Sequence, residues 1–418
     1  MWPGYLSLAC AEIINNERAA TYVQPYGVTI NCDRCAGLPE VLGHDPYTSP
    51  IADDAPWYDP VRGASADFLG AFSSSVEGLS ASPAARDPLP LVRDGSSIGP
   101  LRREHREIPV TVRLFALSEC GLSYGLEWLS RSLSGDPCGG NCVGAEMTLF
   151  ACCPGSGTDT GYDGAELRYL YDVGLLQGLT VSERIYWGEV IEAVVSFTLV
   201  AGNPWIYGQA LPTGDDWVTL SQGTQTRADP DQVYQRCLPP TPCATDDQCP
   251  RPPLPPRPPR PVSPCYPKGV GDFLVTRIRV ASEDYPLWSE LVPVVEIEPG
   301  STDMRRLLVR FWSNPQNEDC AQELDPCDAC GDLNVTYLPA NSLLTMDGRV
   351  ARSSIECETE GVGTAVSAPN AFGPQGGLFT YPYFPCPGGL CVEVWARADT
   401  VADDARARIT LIPRSDVM

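Results

Sequence analysis

"REIPVTVRLFALSECGLSYGLEWLSRSLSG", residues 106 to 135, contains the change of hydrophobic period that decides the fold of the first half of this chain. Apolar residues first recur at every second position, which predicts a strand with one buried face: Ile108, Val110, Val112, Leu114 and Ala116. They then recur at helical spacing, at Leu122, Leu126, Leu129 and Leu133. Ser118 is a suitable cap for the start of this helix and Gly135 for its end. The stretch therefore predicts a strand followed by one amphipathic helix that docks on a sheet.

The rest of the first 208 residues predicts further strands around this helix. Residues 146–153, residues 167–176 and the alternating stretch from Ile191 to Leu199 have strand patterns, and the last of these should stop at Asn203-Pro204. Residues 20–35 are also expected to form an opening strand. Residues 45–100 are dense in Pro, Asp, Ser and Gly, and we expect long ordered loops there.

The final 150 residues predict an all-β domain. Short strand patterns separated by turn residues occur at residues 273–280, 294–300, 304–312, 333–338, 343–351, 389–397 and 407–412. Asp347-Gly348 is a good two-residue hairpin turn. About seven strands without a convincing helix favour a β-sandwich.

A proline-rich segment separates the two halves. Within it, "PRPPLPPRPPRP" at residues 250–261 favours extended polyproline II geometry, because proline fixes φ and removes a backbone donor. We interpret the segment as a semi-rigid spacer between two domains. The alternative is a binding motif for SH3 domains. We predict a mainly β protein with a first domain at 1–208, a linker at 209–268 and a sandwich at 269–418.

Composition limits the function. The chain has 418 residues, 43% of them apolar, and a net charge of −24. Such an acidic chain is poorly suited to groove binding of nucleic acid, where clustered Lys and Arg contact phosphates. The sequence starts without the pattern of a secretory signal and contains no run near the roughly 18 apolar residues of a membrane span. We therefore expect a soluble protein made in the cytoplasm, without membrane insertion.

Eighteen cysteines are unusual for a protein made in the cytoplasm. Many are close neighbours in sequence: Cys32/Cys35, Cys138/Cys142, Cys152/Cys153, Cys243/Cys249, Cys327/Cys330 and Cys386/Cys391. Disulfides are the first interpretation, and sequence cannot give their connectivity. A structural metal is the alternative, because two Cys-x-x-Cys pairs can supply four thiolates to zinc. A virus particle released by lysis would explain disulfides in a chain without a signal; no other cofactor is predicted.

The sequence contains two motifs of hydrolases, but neither has a histidine at a suitable position in the chain. "GSSIG" at 95–99 and "GLSYG" at 121–125 match the nucleophile elbow of hydrolases, but both histidines, His44 and His105, precede Ser123. His105 follows Ser97 too closely to leave room for the elements of that fold. We expect no enzyme. Trp187, Trp205 and Tyr207 flank the last strand of the first domain and could stack on sugars, although aromatic residues at strand ends are more often core or subunit contacts.

The order of elements resembles the distal tail proteins of long-tailed phages. The resemblance is carried by "SSIGPLRREHREIPVTVRLFALSECGLSYGLEWLSRSLSG" at 96–135 and "GEVIEAVVSFTLVAGNPWIYG" at 188–208. "APWYDP" at 55–60 and "SADFLG" at 65–70 look like segments of minor tail proteins of phages that infect actinobacteria. "YPLWSELVPVVEIEPG" at 285–300 and "LLTMDGR" at 343–349 are similar to the galectin-like half of the same family.

The resemblance implies a tail-tube-like first domain with one flanking helix, then a galectin-like sandwich. It also implies a homohexameric ring at the tail tip, a baseplate hub in the virion. Its partners would be the tail tube protein, other tail-tip proteins and fibres, and DNA would pass through without specific binding. The alternative is a carbohydrate-binding module for host cell-wall glycan, with Trp288, Trp312 and Trp395 of the second domain as platforms.

Overall fold

A computed structural model gives the fold of two compact units. It describes residues 4–30, 34–91, 94–134, 145–154, 167–210, 217–226, 272–280, 290–314, 320, 329–357, 365–367, 371–372 and 389–418. The first unit comprises Met1–Ala210 together with Ile412–Met418, and the second comprises Leu211–Leu411.

The first unit is built mainly from antiparallel strands. Its strands are β1 Tyr5–Leu8, β2 Ala11–Asn15, β3 Phe68–Val76, β4 Ala84–Ala85, β5 Pro88–Pro90, β6 Ser96–Ile98, β7 Arg102–Arg103, β8 Arg106–Ala116, β9 Ala145–Phe150, β10 Leu167–Trp187, β11 Val190–Ala201 and β12 Ile206–Tyr207. Its helices are α1 Asn16–Val23, α2 Leu38–Val41, α3 Ala64–Asp67 and α4 Glu119–Leu133. The main sheet runs in the order β2–β1–β9–β10–β11–β8–β3, and β12 also pairs with β10.

The predicted change of period at Ser118 is confirmed. The five alternating residues of β8 are almost fully buried, and they share one apolar cluster with Leu122, Leu129 and Leu133 of α4. The Ser118 hydroxyl accepts a hydrogen bond from the Gly121 N–H at 3.0 Å and so caps α4. Gly135 lies outside the described residues.

Two predictions for the first hundred residues are wrong. Residues 20–35 do not open with a strand, because α1 occupies Asn16–Val23 and a 3-10 turn follows at Gln24–Tyr26. The Asn15 side chain starts α1 by accepting a hydrogen bond from the Arg18 N–H. Residues 45–100 are not only loops, because β3 lies among them and pairs with β8. Most of β3 is buried on both faces, so it lacks the alternation that marks a strand in sequence.

The second unit is a sandwich of two antiparallel sheets, and the mainly β fold class is therefore confirmed. Its strands are β13 Val218–Thr219, β14 Thr224–Thr226, β15 Phe273–Val280, β16 Glu290–Glu298, β17 Met304–Asn314, β18 Gly331–Leu338, β19 Ser342–Asp347, β20 Arg352–Cys357, β21 Ala365–Ser367, β22 Ala371–Phe372, β23 Gly389–Arg397 and β24 Arg406–Ser415. The last four residues of β24 belong to the first unit. One sheet has the order β14–β15–β23–β17–β18–β22 and the other contains β24–β16–β19–β20–β21, with β13 on β24. Residues of both sheets form one apolar core.

The observed units differ from the boundaries expected from sequence. Residues 217–226, expected in the linker, contribute β13 and β14 to the second unit, where Leu220 is buried. The last seven residues, expected in the sandwich, belong to the first unit. The segment 227–271, with the proline run, lies outside the described residues, and its role as a spacer stays a prediction. The turn at Asp347-Gly348 is longer than two residues, because Asp347 pairs with Arg352.

Candidate functional site

The longest strand of the first unit has an open edge. The first part of β10, residues 167–173, pairs with β9 on one side, and Tyr169 also pairs with Tyr207 of β12. From Leu175 to Trp187, β10 pairs with β11 alone among the described strands. The second side of this segment, residues 175–187, therefore presents backbone N–H and C=O groups without a strand partner in the described part of the chain.

Apolar side chains accompany the open edge. Leu175, Leu176 and Val181 are exposed, and Tyr186 and Trp187 follow them at the end of the strand. Val181 has 39% of its surface exposed. An open strand edge with exposed apolar side chains is a ready template for pairing with another strand, and exposed apolar patches mark interaction surfaces.

The two faces of the sheet formed by β10, β11, β8 and β3 differ in polarity. One face contributes the alternating apolar residues of β8 and β11 to the core beneath α4. The other face of β8 and β11 has partly exposed polar side chains, including Thr111, Ser196 and Thr198. Thr111 and Ser196 lie opposite each other, with their hydroxyl oxygens 3.3 Å apart. This second face is suited to contact with water.

Three side chains on this polar face form what we call the first-unit triad: Arg113, Glu192 and Trp187. Arg113 donates from Nε to Glu192 Oε1 at 2.6 Å and from Nη2 to Oε2 at 2.8 Å. Trp187 donates from its indole Nε1 to Glu192 Oε2 at 2.7 Å. The carboxylate is buried, whereas Arg113 is 28% exposed and Trp187 is 49% exposed. Glu192 thus fixes the guanidinium and the indole while leaving part of each accessible.

A cleft of about 700 Å³ lies beside the triad. Arg113 and Trp187 line it together with Tyr26, Thr29, Phe72 and Ser74. Thr29 and Tyr26 come from the segment after α1, Phe72 and Ser74 from β3, so four separate parts of the first unit converge here. The cleft combines aromatic and aliphatic side chains with hydroxyl groups and one guanidinium, which is a composition for binding an organic ligand that has both polar and apolar groups.

Replacing Glu192 by glutamine should lower the free energy of unfolding by about 1.5 kcal/mol near pH 7, because the buried bidentate acceptor of Arg113 is lost. Burial alone would raise the pKa of Glu192, but the hydrogen bonds from Arg113 and Trp187 and the charge of Arg113 outweigh it, so that the pKa lies below its ordinary value of 4.5. A carboxyl group with a lowered pKa stabilises the folded state above its unfolded pKa, and this contribution is lost as pH falls.

The difference in stability between the wild type and Glu192→Gln should therefore shrink as pH falls below 4.5, the ordinary pKa of this group. Urea denaturation at neutral pH and in this acidic range measures it. Glu189→Gln, at an exposed position after Gly188, is the control and should change stability by less than about 0.5 kcal/mol. An equal loss at both pH values for Glu192→Gln would contradict the assigned role.

A second-unit triad repeats this arrangement, with Arg277, Glu393 and Trp395. Arg277 donates from Nε to Glu393 Oε1 at 2.8 Å, and Trp395 donates from Nε1 to Glu393 Oε2 at 2.8 Å. Glu393 is again buried, and Arg277 is 29% exposed. Trp395 is half-buried, close to Phe273. The residues that line the cleft of the first unit come from that unit alone.

The other two tryptophans predicted as glycan platforms have different positions. Trp312 is only 4% exposed and packs in a small cluster with Cys320 and Cys391. Its buried ring therefore argues against a platform. Trp288 lies outside the described residues. Among the aromatic residues at the strand ends of the first unit, Trp187 is exposed, whereas Tyr207 is buried and Trp205 lies between the guanidinium groups of Arg103 and Arg414.

Two disulfides join cysteines that are distant in sequence. Cys35 bonds to Cys153, 118 residues away, and Cys320 bonds to Cys391, 71 residues away. The bonded Cys35, Cys153 and Cys391 are therefore not joined to their nearest neighbours in sequence, which are Cys32, Cys152 and Cys386.

The remaining predicted cysteines are not in bonds that the structure describes. Cys152 and Cys330 are free and exposed. Seven others lie outside the described residues: Cys32, Cys138, Cys142, Cys243, Cys249, Cys327 and Cys386. Within the described ranges no group of three or more His, Cys, Asp or Glu side chains is placed to hold a metal ion. The structure also contains, in the same ranges, no helix long and apolar enough to cross a membrane.

The residues of the hydrolase patterns lie apart in the fold. Ser123 is on the second turn of α4 and exposed, and Ser97 is on the short strand β6. His105 faces Glu107, with Nε2 3.5 Å from Oε1. His44 lies next to Tyr47, with its Nδ1 2.9 Å from the phenol oxygen.

Comparison with known proteins shows a distant structural likeness. No family model matches this chain, and no curated protein matches it. Among solved structures, the chain is similar to the crystal structure of SPP1 Dit, which is described as a paradigm of the hub adsorption apparatus in phages that infect Gram-positive bacteria. The match covers 79% of this chain and 94% of that chain, at 11% identity and a TM-score of 0.33. At these values it assigns no residue a role.

Proposed function

We propose that this protein is a structural component of a phage tail tip that works by self-association into a ring. The observation that carries the proposal is the open edge of β10 at residues 175–187, with its exposed apolar side chains. A subunit that pairs this edge with a different surface of the next subunit forms a heterologous contact, and such contacts close into rings when the rotation fits.

The sheet order supplies a candidate for the complementary surface. In the sheet, the strands lie in the order β10–β11–β8–β3, so β3 is at the opposite edge from β10. Among the described strands, β3 pairs with β8 alone. Its last residues, Ser74–Val76, are partly exposed. Pairing of β10 with β3 of a neighbouring copy would continue the sheet from one subunit to the next.

In this ring, the polar face of the sheet would line the lumen and α4 would lie on the other side. Hydroxyl groups such as those of Thr111 and Ser196 offer contacts without charge, and the net charge of −24 repels phosphates. DNA would therefore pass without specific binding. No catalysis or cofactor is part of this function.

The resemblance of residues 96–135 and 188–208 to distal tail proteins supports the narrower proposal of a baseplate hub in the virion. The ring would be homohexameric and would contact the tail tube protein and other tail-tip proteins. The proline-rich segment would act as a spacer before the sandwich, which would project towards fibres or the host. The similarity of residues 55–60 and 65–70 to minor tail proteins supports a phage that infects actinobacteria.

Replacing Val181 by lysine should weaken self-association about tenfold per contact, because a charged side chain at a paired edge opposes desolvation and strand addition. Sedimentation velocity over a range of protein concentrations measures the oligomer distribution. Val61→Lys is the matched control: Val61 is also an apolar residue, 90% exposed, but lies in a loop of the first unit. Equal oligomer distributions for wild type and Val181→Lys would contradict the assigned edge.

A further inference from the structure

We propose that the cleft of the first unit, bounded by Tyr26, Phe72, Arg113 and Trp187, binds a neutral saccharide. This inference concerns ligand binding and does not depend on ring formation. It rests on the first-unit triad, on the composition of the cleft and on a comparison with the second-unit triad.

The indole of Trp187 is held for contact with a ligand. Its Nε1–H is bonded to Glu192, which fixes the plane of the ring, while 49% of the residue remains exposed. An exposed aromatic face with a fixed orientation packs against the C–H groups of a pyranose ring at little entropic cost. Tyr26, 39% exposed, adds a second ring at the cleft.

Arg113 supplies the hydrogen-bond donors. Its Nε and Nη2 bond to Glu192, whereas its Nη1 has no hydrogen-bond partner among the described residues. The charge of the guanidinium is balanced by the Glu192 carboxylate at 2.6 Å, so the cleft has no free positive charge to attract an anion. Donors on a balanced ion pair suit hydroxyl groups, and Thr29 and Ser74 contribute hydroxyls of their own.

The cleft shares Trp187 and Ser74 with the two surfaces proposed for self-association, but its chemistry differs from that of the rest of the β10 edge. Leu175, Leu176 and Val181 offer only apolar side chains beside open backbone groups. The cleft instead combines aromatic rings with a guanidinium and hydroxyls. A second copy of this chain seated on Trp187 is therefore the competing occupant of the cleft.

The second-unit triad provides both a structural control and the competing sugar site, because Trp395 is the predicted glycan platform of the second unit that the structure describes as half-buried. Trp395 has the same hydrogen bond to a buried glutamate, and this glutamate also pairs with an arginine. Trp395 does not line the cleft of the first unit. Replacing Trp187 or Trp395 by alanine thus removes the same local hydrogen bond in two places, only one of which is at the proposed site.

The experiment is isothermal titration calorimetry of the full chain with glucose, galactose, N-acetylglucosamine and their β-linked disaccharides. We expect at least one of these sugars to bind with a Kd on the order of 1 mM. Trp187→Ala should weaken this binding about tenfold, Tyr26→Ala should weaken it by a smaller factor, and Trp395→Ala should leave it unchanged. Thermal unfolding shows whether Trp187→Ala is folded. If it is not, the binding measured with Tyr26→Ala tests the proposal instead.

Three results would overturn the proposal. The first is an absence of binding by any of these sugars to the wild type. The second is a loss of binding in Trp395→Ala but not in Trp187→Ala or Tyr26→Ala. The third is a Trp187→Ala variant that changes the oligomer distribution and binds sugar as the wild type does, because Trp187 would then be a subunit contact. A wild type that is monomeric yet binds sugar through Trp187 would contradict the ring and support this site.

Discussion

Replacing Arg106 by alanine should lower the free energy of unfolding of the first unit by about 4 kcal/mol and its melting temperature by about 10 °C. Arg106 is at the start of β8 and only 2% exposed. Its guanidinium donates to the carbonyl oxygens of Pro204 at 2.9 and 3.0 Å, Ala81 at 2.8 Å and Asp416 at 2.8 Å, and also to that of Gly78. These carbonyls belong to three segments that are distant in sequence.

The size of the effect follows from the carbonyl groups that lose their hydrogen-bond donor in Arg106→Ala. Without the guanidinium, four carbonyl groups, all in part-buried hydrogen bonds, lose this donor. A loss of about 1 kcal/mol for each accounts for the expected total. Asp416 belongs to the last seven residues, which are also held by the pairing of Arg414 and Ser415 with β12 and by the Met418 N–H, which donates to the Leu79 C=O at 3.0 Å. The variant should therefore loosen the end of this segment, and hydrogen exchange should be faster at residues 416–418.

Arg86→Ala is the control for Arg106→Ala. Arg86 is an exposed arginine of the same unit and donates to one carbonyl, that of Gly99, at 3.1 Å. Its removal should change stability by less than about 0.5 kcal/mol. Scanning calorimetry of both variants measures the difference, and a loss for Arg106→Ala as small as that for Arg86→Ala would show that Arg106 does not join the three segments.

Replacing Gly125 by alanine should destabilise the first unit by about 3 kcal/mol, although alanine is the better helix former. A Cβ atom at position 125 of α4 would lie 2.3 Å from two ring carbons of Phe68. Phe68 cannot move aside easily, because it is fully buried and its ring centroid lies 5.1 Å from that of Trp57 and 5.9 Å from that of Trp128. The overlap outweighs the gain of about 1 kcal/mol in helix propensity.

Ser123→Ala separates helix propensity from packing. Ser123 is two residues before Gly125 on α4 but exposed, so this change should stabilise the helix by a few tenths of a kcal/mol. Urea denaturation of both variants measures the two effects with opposite signs. A Gly125→Ala variant as stable as Ser123→Ala would mean that α4 does not approach β3 as closely as the structure shows.

Sequence predicted those parts of the fold whose residues alternate or recur at helical spacing. The pair β8 and α4 follows from the spacing of nine apolar residues around Ser118, and β15 and β23 have the predicted bounds. Sequence did not reveal β3, because a strand buried on both faces has no alternation. It also did not reveal the length of β10, whose second half carries polar residues and has register shifts at Leu175–Gln177, Gln177–Thr180 and Val181–Glu183. A glycine within a helix is unfavourable by itself, and the reason for Gly125 appears only in its close approach to Phe68.

The candidate site depends on contacts that sequence does not encode locally. Arg113 and Glu192 are 79 residues apart, and the disulfide partners Cys35 and Cys153 are 118 residues apart. Only the folded chain brings such residues together. Trp187 had a local signal, since an aromatic residue before Gly188 at the end of a strand is exposed at a turn, but its role depends on Glu192. The prediction of platforms in the second unit rests on residue type alone, and one of them, Trp312, is buried.

Negative-stain electron microscopy of the purified full chain tests the central claim most directly. The protein should be imaged at a concentration well above the dissociation constant of a weak self-association. Self-association through the open edge of β10 predicts closed rings of identical subunits, in the purified protein and at the tail tip of particles. A monodisperse monomer at high concentration, together with absence of the chain from purified virions, would contradict it.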